Sequence, residues 1–208
     1  MATAGTGDAR LPSSLEAAKI TSLPPTSYYV PNFISEEEER VILDKTWPSD
    51  LVQDRLLDAS LPPWLETPVV SRLLSLPLSD DDDDGNADGA AYWPVVCTIS
   101  LGASICLNLY RSKEDGALDP EPAWRIIQEP RSLLITTAIL YTDYLHGISD
   151  IKEDLDLSAD TIVNWPLLRE PEAFASGQSV RQTRTSLTYR DVLKVSKVGN
   201  RLGLFNKR

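Results

Sequence analysis

The chain contains one histidine, His146. That count excludes a zinc site built on two or more imidazoles and any acid–base mechanism run by a histidine pair. Four residues remain whose types and spacing suggest chemistry. Asp88 stands in Asn86-Ala87-Asp88-Gly89, just ahead of a strand-like segment. His146 follows well downstream, after another apolar run, and Arg184 and Arg190 lie in the last one. Their even spacing puts both arginines on one face of a strand, with Ser186 and Thr188 between them and Thr185, Leu187 and Tyr189 on the other face. Two guanidiniums with intervening hydroxyls suit a dicarboxylate or a phosphate. They are separated by roughly 20 Å of strand, so both must lean inward to share one small ligand. Each residue also has a plainer reading. Asp-Gly is a common turn, a lone histidine beside a strand is often structural, and C-terminal arginines are often surface charges.

These residues need a scaffold, and the sequence predicts helices first and strands after. Residues 1–25 are rich in Ala, Ser, Thr and Pro and read as a mobile tail. Tyr28-Tyr29-Val30 is a short strand-prone run. Ser35 and Glu38 form a capping box, and the acids from Glu36 to Glu39 suit the positive end of a helix, so a helix is expected over 35–46. Leu65, Val69, Leu73 and Leu76 recur at helical spacing, with Pro68 at a first helical position after Thr67. Asp80 to Asp84 reads as a solvated loop. The period then changes to two. Val95, Cys97, Ile99 and Leu101 alternate with Val96, Thr98 and Ser100, and a similar run follows from Ile105 to Tyr110. With Gly102-Ala103 between them, the two predict a β-hairpin. Residues 111–130 read as a loop, 131–136 as a strand, 149–180 as an acidic loop and 183–192 as a final strand. The class is therefore α+β with largely antiparallel sheet.

The chain has 208 residues, enough for one domain with tails. No stretch approaches the roughly 20 apolar residues of a membrane-spanning helix. The first ten residues lack the apolar core of a secretory signal. Cys97 and Cys106 sit in apolar runs and read as buried thiols of a reducing compartment, nucleus or cytoplasm. The net charge is −11, which disfavours nonspecific binding to phosphate backbones. It is unevenly spread: residues 181–208 hold eight basic residues and one acid, Asp191. That basic end either receives an anion or a polynucleotide, or neutralises the acidic body across a sheet.

The order Asp88, His146, Arg184, Arg190 resembles the AlkB-like family of iron(II)- and 2-oxoglutarate-dependent dioxygenases. The residues carrying the resemblance are Tyr28 to Glu38, Leu61-Pro62-Pro63-Trp64-Leu65, Asp88-Gly89, Tyr92 to Val96, Thr98 to Gly102, Glu129 to Leu134, Leu145 to Ile148 and Thr183 to Arg190. They cover about residues 27–195 in patches. The resemblance implies a double-stranded β-helix, or jelly roll, core with N-terminal helices. The AlkB-like domain would span 26–195 in shortened form, with a basic tail over 196–208. It implies that Asp88 and His146 are metal ligands for Fe(II), in a facial triad that leaves positions open for 2-oxoglutarate and O₂. It also implies that Arg184 and Arg190 bind 2-oxoglutarate. The resemblance further implies a nucleic-acid or protein substrate.

The sequence departs from that pattern in three places. Asn86 occupies the position of the family's first metal histidine, and no other imidazole exists to replace it. The Asp80–Asp84 run stands where the family has an Asn-x-Tyr strand and a Pro-Gly turn. The stretch between Trp47 and Leu61, part of the substrate lid in relatives, is short. Missing segments point to a shortened form of an active dioxygenase, with reduced iron affinity and low or no turnover. The alternative is a noncatalytic jelly-roll module that binds a partner through its acidic loops and basic end. A third reading, a hard divalent cation held by residues 80–88, lacks the ligand spacing of a calcium loop.

Overall fold

Strand alternation organises the molecule. The computed structural model describes residues 8–23, 27–46, 61–76, 95–111, 119–137, 140 and 143–190, with the side chains of Thr46 and Arg190 outside that set. The strands are β1 (Ser27–Val30), β2 (Val95–Leu101), β3 (Ile105–Arg111), β4 (Trp124–Gln128), β5 (Leu133–Thr137), β6 (Tyr144–Gly147), β7 (Glu153–Asp154), β8 (Ser179–Val180) and β9 (Thr185–Arg190). They form an antiparallel sheet of order β1-β5-β2-β9, a second of order β4-β3-β6, and a two-strand ladder, β7-β8. The helices are α1 (Glu36–Thr46), α2 (Pro63–Leu65) and α3 (Ser71–Leu74). The class is therefore mixed helix and antiparallel sheet, as the sequence predicts. No helix among the described residues is long and apolar enough to cross a membrane.

Both faces of the four-stranded sheet are covered, which is why its strands are apolar in both phases. Ile99 and Leu101 of β2, Leu133 and Ile135 of β5 and Tyr28 and Val30 of β1 pack with Phe33, Ile34, Ile42 and Val69 on the helical side. Tyr29 and Leu134, from the opposite phase, join Leu107, Leu109 and Ile126 of the second sheet. Each fully buried side chain of this size contributes roughly 1.5–3 kcal/mol.

The cap of α1 forms as predicted. The Ser35 N–H donates to Glu38 Oε2 at 2.7 Å, and the Glu38 N–H donates to Ser35 Oγ at 3.2 Å. Glu38 also accepts two bonds from Arg72, at 2.7 and 2.8 Å, which fastens α3 to α1. These bonds hold its carboxyl below the usual carboxylate range. Thr67 is extended (φ −121°, ψ 121°), so the helical run breaks there and resumes at Pro68. A residue before proline is pushed out of the helical region.

The chain between β2 and β3 differs from expectation. They form no hairpin: β2 pairs with β5 and β9, and β3 with β4 and β6. Gly102, at φ +82°, turns the chain from one sheet to the other. A side chain there would meet the Thr183 carbonyl at 2.8 Å, so only glycine fits. The Gly102 N–H is held by Glu39 Oε1 at 2.8 Å, and Glu39 also pairs with Arg131 at 3.1 Å. Period two reveals strands but not their partners. β4 lies inside the expected 111–130 loop, whose prolines flank it. His146 lies within β6 rather than after a strand.

The expected N-terminal tail also differs over its described part. Leu15, Ala18, Ile20 and Leu23 are buried, because the segment is held beside β1 by the Ile20 N–H donating to the Ser27 carbonyl at 2.8 Å and packs into the two cores. Cys106 is buried as expected, but Cys97 is only partly so. The Asp80–Asp84 run, residues 47–60 of the short stretch and the basic tail lie outside the described residues.

Glu129 is the densest polar junction. Its carboxylate accepts the Tyr29 hydroxyl and the Arg169 and Glu170 N–H groups, each at 2.9 Å, with the residue 2% exposed. Glu129→Ala strands the buried Tyr29 hydroxyl and two part-buried N–H donors, and we expect a loss on the order of 2 kcal/mol in urea unfolding. Glu38 supplies a pH test. Its folded-state pKa is lowered, so its contribution is present above the usual carboxylate range and is lost as pH falls through the lowered value. Glu38→Gln should therefore lower the urea midpoint at pH 7 and converge with the parent in acid.

Candidate functional site

Arg184 sits just ahead of β9 and reaches across to both sheets. Its Nε donates to Ser100 Oγ at 2.8 Å, and its Nη2 donates to Gln128 Oε1 at 2.6 Å. Ser100 is on β2, opposite Ser186 of β9, and Gln128 ends β4, opposite Ile105 of β3. Both acceptors are almost fully buried. Because a guanidinium only donates, the Gln128 amide must present its oxygen. Burial pushes Arg184 down to about 10, so it stays cationic at neutral pH. No carboxylate pairs with it among the described residues.

His146 belongs to the same face of the second sheet. It lies opposite Leu109, while Gln128 lies opposite Ile105, and residues 105, 107 and 109 share one side of β3. The two positions are offset by roughly 13 Å along the strand and about 10 Å across it. His146 Nε2 is 2.9 Å from the Leu140 carbonyl oxygen. A carbonyl only accepts, so Nε2 carries the proton in this contact and Nδ1 keeps the lone pair.

Of the four residues singled out in the sequence, Arg184 and His146 are thus brought toward one sheet face. Arg190 ends β9 opposite Val96, its side chain outside the described set. Ser186 and Thr188, the expected hydroxyls, are exposed, and Leu187 and Tyr189 pack on the helical side as alternation requires. Asp88 and Asn86 lie outside the described residues. Ser100 and Gln128 were not singled out. Their signal was a polar side chain in an otherwise apolar strand.

The described residues fit an anion better than a metal. No group of three or more His, Cys, Asp or Glu among them could hold an ion. His146 presents one free ring nitrogen at most. Burial pushes the Cys97 and Cys106 thiols up to about 11, so both are neutral thiols at neutral pH in the metal-free protein. Asp88 and Asn86 lie outside the described residues, and among those described a guanidinium held by neutral acceptors alone fits a carboxylate.

No protein-family model matches the chain. A zebrafish (Danio rerio) protein described as "Probable RNA/DNA demethylase ALKBH6" is 30% identical over 227 aligned residues, covering 91% of this chain and 95% of that protein. The chain belongs to the AlkB-like family. The alignment to this AlkB-like relative is longer than the chain itself, 227 positions against 208 residues, so this member carries internal deletions relative to it.

The histidine geometry can be checked directly. With a single histidine, nitrogen-15 labelling gives one ring-nitrogen pair without assignment. We expect the neutral ring to show the Nε2–H tautomer, and Nδ1–H signals would contradict the Leu140 contact.

Proposed function

We propose that this AlkB-like chain is built as an Fe(II)- and 2-oxoglutarate-dependent dioxygenase on a jelly-roll core, with an impaired iron centre. One observation carries the reading. Arg184 is a largely buried cation held only by the neutral Ser100 and Gln128 among the described residues, which supports a carboxylate of 2-oxoglutarate as its missing partner. Arg190, six residues on, is the second arginine of the proposed clamp.

The iron side of the reading rests on Asp88 and His146 as ligands. It is weakened by chemistry specific to this chain. Asn86 offers a neutral donor where an imidazole is expected, and the only imidazole, His146, has Nδ1 as its one free nitrogen while Nε2 donates to a backbone carbonyl. Iron(II), when bound in such a site, supplies the oxidation of a C–H bond with O₂ and 2-oxoglutarate as co-substrates. The substrate class suggested by the relative's name is methylated RNA or DNA, and we carry it over only for a form with a complete iron site. The second reading, a noncatalytic partner-binding module, is favoured by Asn86 standing where the iron centre needs an imidazole.

The test is restoration of the missing imidazole. We expect Asn86→His to raise iron-dependent conversion of 2-oxoglutarate to succinate by about tenfold or more over the parent chain. His146→Ala in that background should abolish the gain. Parent activity equal to that of Asn86→His, with both proteins folded, contradicts an impaired centre.

A further inference from the structure

A buried arginine normally finds a carboxylate, because an uncompensated charge in the interior is costly. Arg184 does not, among the described residues. Its two acceptors, the Ser100 hydroxyl and the Gln128 amide oxygen, fix the guanidinium plane without cancelling its charge. Ser100 is 0% exposed and Gln128 3% exposed, so neither acceptor is free to turn toward water. Ser100 is further locked by its backbone: its N–H donates to the Ser132 carbonyl at 3.0 Å, and its carbonyl accepts the Arg131 N–H at 2.7 Å. The Nη1 nitrogen has no protein partner among the described residues. That leaves a cation with its orientation set and donors to spare.

We propose that Gln128 and Ser100 are positioning residues whose neutrality keeps Arg184 available to an incoming small dicarboxylate. The proposal rests on the Arg184 reading above and extends it to what makes the site accept an anion. A glutamate at position 128 is isosteric and keeps an acceptor oxygen. It supplies the counter-charge from within the protein, in competition with the ligand. The lowered proton affinity of Arg184 agrees with a cation that burial alone perturbs.

The experiment compares the full chain with Gln128→Glu, Gln128→Met, Ser100→Ala and Arg184→Gln, without metal. Melting midpoints are measured free of ligand, and calorimetry follows binding of 2-oxoglutarate, succinate and glutarate. A purely structural role for Gln128 makes Met the more damaging change on both readouts, since Glu keeps the acceptor. The neutrality role reverses the order for binding alone. Gln128→Glu should melt above Gln128→Met, yet bind dicarboxylate about tenfold or more weaker than the parent, while Gln128→Met loses only about threefold. Ser100→Ala should behave as Gln128→Met does, and Arg184→Gln should not bind. Gln128→Glu binding as well as Gln128→Met, or melting below it, overturns the proposal. Binding of succinate or glutarate but not 2-oxoglutarate, with the same variant order, sinks the proposed function and leaves this inference standing. A parent chain that takes none of the three overturns both.

Discussion

The architecture depends on how the protein handles two charges on its interior side. At residue 129 a carboxylate is buried against a tyrosine hydroxyl and two backbone N–H groups. These neutral donors join β1 of one sheet, the turn after β4 and the irregular layer around residues 168–170. The Glu129 backbone is used as well: its N–H donates to the Tyr29 oxygen at 3.1 Å, and its carbonyl accepts the Ser132 hydroxyl at 2.6 Å. The junction holds the sheets in place, and Gln128, the residue before it, reaches the Arg184 guanidinium. Glu129 has a full set of partners and so serves structure. Among the described residues Arg184 has two acceptors for five N–H groups and so retains binding capacity.

The outer irregular layer is fastened by the same means. Asp154 and Arg181 form a buried pair at 2.7 Å, and Asp154 also accepts the Cys106 N–H at 3.2 Å. Arg125 donates to the Leu155 and Asp156 carbonyls at 2.7 and 3.0 Å, and Asn164 brackets Ile127 with two bonds at 2.7 and 2.9 Å. A stretch with little regular structure thus satisfies its polar groups through side chains, as buried backbone requires. By contrast, the Arg40 pairs with Glu37 and Asp44 are exposed and contribute little.

Much of this was legible in the residues. The Ser35–Glu38 box marked α1 because capping is local chemistry. The even phase of the last strand separated Arg184, Ser186 and Thr188 from Leu187 and Tyr189 because alternation is a property of a strand alone. What failed were features decided by distant partners. β2 and β3 looked like a hairpin because nothing in the two runs records that each pairs with other strands. The buried Leu15, Ala18, Ile20 and Leu23 sit in a composition that reads as a tail. Ser100 and Gln128 acquire meaning only through a guanidinium 84 and 56 residues away. The family was legible because its motifs survive on both sides of the gaps, and the 30% identity with a zebrafish relative establishes membership.

The central claim is that an anion site persists beside an impaired iron centre. Its most direct test is anaerobic calorimetry of 2-oxoglutarate binding to the full chain, with and without iron(II), with the visible spectrum recorded alongside. The account predicts the same affinity in both conditions and no charge-transfer band. Binding that requires iron(II) and brings up the band would show that the metal centre is intact and contradict the account.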